Sequence, residues 1–197
     1  MITRGYARKY VGGNWDTAGI KQFNLLINEG LTPNHKLLDV GCGNLRAGIY
    51  FIDYLNIGNY TGLDHHRWLI DAGINNELEE KVNTEKKPTF IVNNNFNLTS
   101  VENKFDFIIA KSVFTHLPQK DIVTCLNSVA SVLKKDGHFY ASISIGSSIN
   151  NLEESHDNKR FRYTVEEIKE LSKDLFNIEK IGNQGCFSQT MLKFTLK

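Results

Sequence analysis

The period of the apolar positions changes along the chain in a regular way. Over residues 16–30, Ile20, Phe23, Leu25, Leu26 and Ile27 give an apolar helical face, and Gly30 is a natural stop. Lys36 to Val40 is a short apolar strand that ends in a glycine turn. Residues 45–55 predict a helix with Ile49, Phe51, Ile52 and Leu55 inward. Tyr60 to Leu63 predicts a second strand, followed by helical spacing from about Trp68 to Val82. Further strands are expected at Thr89 to Val92 and Phe105 to Ala110. Ile122, Cys125, Leu126, Val129 and Leu133 mark an amphipathic helix over 119–134, and Gly137 opens a strand from His138 to Ile145. Thr164 with Glu167 three residues on makes a capping box for a helix over 165–174. Two strand-like runs, 176–182 and 189–196, close the chain. A short turn around Gly182 to Gly185 predicts that they are antiparallel neighbours.

Strands that alternate with helices predict an α/β fold. Its sheet is doubly wound, Rossmann-like and mostly parallel, with helices on both faces and an antiparallel strand from the C-terminal hairpin. In such open sheets ligands bind beyond the carboxyl ends of the strands, at the topological switch point. The residues that follow strands one to four therefore carry the candidate chemistry.

After the first strand come Asp39, Val40, Gly41, Cys42, Gly43, Asn44, Leu45 and Arg46. Glycines at 41 and 43 allow a sharp turn with the backbone close to a ligand. A helix starting there would offer unpaired N–H groups to a polar or anionic group. Arg46 occupies the place where a nicotinamide-dinucleotide fingerprint has its third glycine, and no P-loop pattern is present. The second strand ends in Gly62, Leu63 and Asp64. An acid at that tip, about 20 residues past the turn, suits bidentate bonding to ribose hydroxyls. The alternative is that Asp64 caps the next helix. The coincidence of turn and acid favours ribose.

The segments Leu38 to Gly43 and Tyr60 to Asp64 resemble motifs I and II of the class I S-adenosylmethionine (SAM)-dependent methyltransferases. The likeness runs from about residue 10 to the C-terminal hairpin. It implies a seven-stranded sheet whose last two strands form a hairpin, with SAM as cofactor and its demethylated form as product. By resemblance, Gly41 and Gly43 line the methionine and ribose part of SAM, with Cys42, Asn44 and Arg46 beside them. Asp39 helps place the amino group, and Asp64 holds the ribose hydroxyls, with His65 against the adenosine. Leu45 departs from the commoner motif, which has a glycine there, and resembles a subset with Leu-Arg at this point. The acid usual after strand three is also missing. Asn93, Asn94, Asn95 and Phe96 stand there instead. Asn94, Asn95 and Phe96 are expected at the adenine end, an Asn-rich polar turn being the alternative. Trp15 and Gln22 are expected to cover the cofactor, a flexible arm with one packed tryptophan being the alternative. This divides the chain into an arm and helix over 1–34 and a SAM-binding domain over 35–197, one structural domain overall.

Strand four exits into Lys111, Ser112, Val113, Phe114, Thr115, His116, Leu117 and Pro118. In this family that exit borders cofactor and acceptor, so Lys111 and Ser112 join the cofactor list. The Asn/Asp-Pro-Pro-aromatic motif of enzymes that methylate adenine or glutamine amides is absent. The string from Ser112 to Leu117 resembles small-molecule methyltransferases instead. Transfer to a hydroxyl requires alignment of the acceptor, exclusion of water and removal of a proton. A near-neutral histidine is the usual base. His116 has the best address, with packing at a helix start as the alternative. His156, in the polar loop Ser147–Arg160, is a second candidate in a segment of the kind that lids a pocket. His35 and His138 read as structural.

Composition narrows the picture further. The chain has 197 residues and a formal net charge of +1, so no basic excess indicates nucleic acid. No stretch approaches the ~18 apolar residues of a membrane span, and the N-terminus lacks a signal pattern. The three cysteines, Cys42, Cys125 and Cys186, fit neither a disulfide framework nor a metal site, as expected for reduced thiols in the cytoplasm. The expected function is methyl transfer from SAM to a small-molecule oxygen of a sugar, glycan precursor or secondary metabolite. The alternatives are a protein or RNA methyltransferase and a non-catalytic SAM-binding subunit. The oligomeric state stays open.

Overall fold

In a computed structural model of the chain, the alternating pattern becomes seven strands and seven α-helices among the described residues, which are 3–99, 101–158, 160–183 and 189–197. They fall into two compact units, Met1–Asn94 and Asn95–Lys197. The strand order is β3-β2-β1-β4-β5-β7-β6, one seven-stranded sheet. No helix of the described residues is long and apolar enough to cross a membrane.

The first unit contains α1 (Arg4–Tyr10), α2 (Trp15–Asn28), β1 (Leu37–Val40), α3 (Gly48–Tyr54), β2 (Tyr60–Asp64), α4 (Arg67–Asn76), α5 (Glu80–Lys86) and β3 (Thr89–Val92). Its three strands are parallel, with Asp39 opposite Gly62 and Asp64 opposite Val92. Every residue of β1 and β2 is buried, as a parallel sheet covered on both faces requires. Helix α2 lies hard against the chain after β1. A Cβ on Gly19 would sit 2.2 Å from the Arg46 carbonyl oxygen. Gly19→Ala should gain about 1 kcal/mol of helix propensity. The clash is with backbone, which cannot swing aside, and overpacking costs about 1–3 kcal/mol or more. We expect a net loss of stability in urea titration. A gain would show that α2 can withdraw at no cost.

The second unit contains β4 (Phe105–Ala110), a 3-10 turn (Phe114–His116), α6 (Gln119–Val132), β5 (Leu133–Ser144), a second 3-10 turn (Ser148–Asn150), α7 (Val165–Ser172), β6 (Phe176–Asn183) and β7 (Gln189–Leu196). Strands β4 and β5 are parallel, and β7 joins both β5 and β6 antiparallel, so the expected hairpin is present. Phe139, Phe176 and Phe194 knit these strands, with ring centroids 4.9 Å apart for Phe139–Phe194 and 5.7 Å for Phe176–Phe194. The capping box of Thr164 and Glu167 is formed at the start of α7. Cys186 and part of the expected turn, residues 184 and 185, lie outside the described residues.

Four boundaries differ from expectation. Helix α1 has no counterpart in the sequence reading, because its polar stretch has only Ala7 buried. The helical spacing over 68–82 is two helices. Glu77 and Leu78 both turn back on the Gly73 carbonyl, and Leu78 is buried. Helix α3 begins at Gly48, since residues 41–47 are a longer turn. Strand β5 begins at Leu133, but its residues Lys134, Lys135 and Asp136 are exposed and polar, which conceals a strand.

Candidate functional site

The turn after β1 is locked onto the end of β2. The N–H groups of Gly41 and Cys42 both donate to the Leu63 carbonyl, at 2.7 and 3.0 Å. The Gly43 N–H donates to Asp64 Oδ2 at 2.9 Å, and the His66 N–H donates to Asp64 Oδ1 at 2.8 Å. This corrects one expectation: these turn N–H groups serve the fold rather than wait for a ligand. Of the two roles considered for Asp64, the structure shows the bonding at the helix start. Asp64 satisfies a backbone N–H at the start of α4, and each carboxylate oxygen keeps a second lone pair. Leu45, in the place of the commoner glycine, has φ of +64° and is fully buried. The left-handed conformation costs a leucine about 1–2 kcal/mol. Burial of its side chain, about 1.5–3 kcal/mol, offsets that cost.

Beneath the turn, Asp39 is 6% exposed and accepts a 2.9 Å hydrogen bond from the Tyr60 hydroxyl. Burial pushes its carboxyl up to about 7, against the Tyr60 bond, with the Asp64 charge adding to the rise and Arg46 opposing it. Cys42 is buried against Gly62, and burial followed by the Asp39 and Asp64 charges holds its thiol well above its ordinary range. It is therefore not a nucleophile. Asn44 is fully buried, and its amide finds no partner among the described residues.

Arg46 Nη1 donates to the Val11 and Gly13 carbonyls at 2.8 and 3.1 Å. It thereby ties the N-terminal arm to the turn. Trp15 is buried at the start of α2 with the Arg8 guanidinium 4.5 Å from its ring. Gln22 turns its amide on its own helix, to the Ala18 carbonyl. His65 is exposed beside Asp64, with Nδ1 3.6 Å from Oδ1. Asn94 is exposed at the end of β3.

The second unit carries the other named residues. Asn95 Oδ1 accepts from the Asn97 N–H, and Asn97 Oδ1 from the Thr99 N–H, so the Asn-rich run is a succession of side-chain-capped turns. Phe96 is half-buried with φ of +55°. Lys111 Nζ and the hydroxyls of Ser112 and Ser142 all donate to Gln189 Oε1, at 2.8, 3.0 and 2.8 Å. The Ser112 N–H in turn donates to Ser142 Oγ at 2.7 Å.

The two histidines are brought together. The His156 N–H donates to the His116 carbonyl at 3.0 Å, and His116 Nδ1 lies 3.1 Å from the His156 carbonyl. A carbonyl only accepts, so Nδ1 carries the proton and the lone pair of the neutral ring is on Nε2. His156 has the opposite form. Its Nδ1 accepts from the Asn158 N–H, which leaves the ring proton on Nε2. The neutral His116 ring therefore carries its lone pair on Nε2, and His156 uses Nδ1 to accept a turn N–H. The loop around His156 is stitched down by the paired bonds of Asn151 with Arg162 and by Lys120 with Glu154. Beside it is a pocket of about 390 Å³ lined by Pro118, Gln119, Lys120, Ser148, Asn151, Leu152 and Glu153.

Tyr60, Glu77 and Gln189 were missed by the sequence reading. A glutamine opening an apolar strand was a signal for the last, whereas Tyr60 and Glu77 had none.

A family model described as a methyltransferase domain matches residues 31–187. The cycloartenol-C-24-methyltransferase of Arabidopsis thaliana is 29% identical over 117 residues, 59% of this chain and 33% of that protein. The chain thus spans about a third of that relative's length. Among solved structures, the magnesium protoporphyrin IX methyltransferase of Synechocystis PCC 6803 with bound SAM has a TM-score of 0.68 at 16% identity, covering 91% of this chain and 80% of that one. A glycopeptide N-methyltransferase complexed with SAM has a TM-score of 0.72 at 13% identity, covering 92% of this chain and 95% of the other. At these identities the structural likeness is one of fold.

Proposed function

This chain belongs to the methyltransferase domain family, in its class I SAM-dependent form, and from that premise we propose that it moves the methyl group of SAM to an oxygen of a small molecule such as a sugar, glycan precursor or secondary metabolite. The observation that carries the cofactor reading is the Asp64 carboxylate, fixed by two backbone N–H groups with acceptor capacity left over. Asp64 would hold the ribose hydroxyls, the backbone of Gly41 and Gly43 the methionine and ribose edge, and Asp39 the amino group. SAM supplies a methyl carbon already activated by its sulfonium. What remains for the protein is to align the acceptor and receive its proton.

We assign that proton to His116 Nε2. The reading is supported by the Nδ1 contact with the His156 carbonyl, which sets the tautomer a base needs. Lys111 and Ser112, fixed by Gln189, are assigned to the cofactor and acceptor margin.

Formation of S-adenosylhomocysteine (SAH), the demethylated product, from SAM in the presence of a panel of sugars, phenols and hydroxysteroids tests the acceptor class. Turnover with hydroxyl acceptors supports the proposal, and turnover with amines alone overturns it. With the acceptor in hand, His116→Gln should lower kcat by about 100-fold or more, the range of general-base contributions, with SAH affinity unchanged. Wild-type turnover across a pH series would remove His116 from this role.

A further inference from the structure

The N-terminal segment is fastened at three places: to the residue that ends α4, to the chain just after β2, and to the glycine turn, the last two being assigned to the cofactor. Helix α1 lays Arg4 and Arg8 on Glu77, whose side chain is 2% exposed, with nitrogen–oxygen distances of 2.8 and 2.7 Å. The Arg8 contact is bidentate, Nε to Oε1 at 2.8 Å and Nη2 to Oε2 at 2.7 Å. Burial alone would raise the Glu77 carboxyl, but the Arg8 and Arg4 hydrogen bonds outweigh it and hold it below its ordinary range. The next fastening is at Tyr10, whose hydroxyl is 3.1 Å from His66 Nε2, and the backbone N–H of His66 is bonded to Asp64. The last is at the turn itself. Arg46 holds the Val11 and Gly13 carbonyls, and Val11 Cγ1 is 3.1 Å from where a Gly43 Cβ would be.

We propose that residues 3–13 are a strap laid across the glycine turn and the tip of β2, and that Glu77 and Arg46 are positioning residues that hold it shut and so set how long the cofactor stays bound. This rests on the cofactor reading above. The two ties differ in kind. Glu77 fixes the outer end of the strap by charge, in a bidentate geometry that only arginine offers a carboxylate. Arg46 fixes the inner end through backbone carbonyls, so it is indifferent to the strap's side chains. A residue that binds SAM directly would alter affinity through contact. These residues act through the strap, so their loss should speed release.

The chain's two tryptophans, Trp15 and Trp68, both touch the strap, under Arg8 and 4.9 Å from Tyr10 respectively. Stopped-flow tryptophan fluorescence therefore reads SAH dissociation directly. In Glu77→Gln, SAH should leave at least tenfold faster. Trypsin should cut after Arg4, Arg8 and Lys9 at least tenfold faster in ligand-free protein, with the melting temperature little changed. The KM for SAM should rise while kcat is kept. Arg8→Ala attacks the same tie from the exposed side and should behave alike if Glu77→Gln fails to fold. Unchanged dissociation in a folded variant overturns the positioning role, and unchanged proteolysis overturns the strap. If the wild-type chain binds no SAH, the cofactor reading fails and the positioning role with it. The proteolysis comparison still decides whether Glu77 latches the strap.

Discussion

Asp64→Ala is expected to weaken SAH binding by about 100-fold to 10,000-fold. Two hydrogen bonds from ribose hydroxyls to a carboxylate, at about 1.5–3 kcal/mol each, sum to that range. The structure adds a consequence that an isolated ribose-binding acid would not have. Removing the carboxylate also strands the Gly43 and His66 N–H groups that it accepts. Each stranded group that stays dry costs about 1–3 kcal/mol. The variant should therefore melt lower even without ligand, and stability must be measured beside affinity. Calorimetry on the folded variant separates the two effects. Wild-type affinity there would end the assignment of Asp64 to the cofactor.

Asp39→Asn is expected to stabilise the ligand-free protein at pH 8 and leave it unchanged near pH 4. The folded chain holds the Asp39 proton up to about 7, whereas an unfolded chain releases it near 3.8. Between those values the folded state binds more protons, so stability falls as pH rises and is level again above about 7. The span corresponds to about 4 kcal/mol. Asparagine keeps an acceptor for the Tyr60 hydroxyl and never ionises, so it removes the slope. Urea titrations of both proteins across this window check it, and a difference that is constant with pH would refute it. Asp39 is also assigned to the SAM amino group, which favours the ionised carboxylate. Wild-type SAH affinity should accordingly rise by up to about tenfold from pH 6 to pH 8, and the variant's should stay flat.

The sheet was legible because its strands are short apolar runs bounded by glycine or polar residues, and their periodicity survives without knowledge of neighbours. The glycine turn and Asp64 were legible for the same reason: the chemistry sits within a few residues of a strand end. Glu77 was not. It reads as one more acid at the end of a helix, and its value comes from Arg8, 69 positions earlier in the chain. Gln189 is similar, since Lys111 is 78 positions away. Helix α1 was missed because it buries almost nothing, its place being fixed by ion pairs and ring contacts rather than by an apolar face. The histidines lie between these cases. Their addresses were readable, but which nitrogen carries each proton depends on the His156 carbonyl and the Asn158 N–H, which only the folded loop supplies.

The amides of Gly41, Cys42 and Gly43 are each bonded to the end of β2, which makes the turn a preorganised element. Its conformational entropy is lost when the chain folds, so a ligand arriving there has little backbone left to order. Hydrogen exchange at these three amides should be slow with or without SAH. With the strap closing over SAH as proposed, amide protection in the N-terminal segment should rise with ligand.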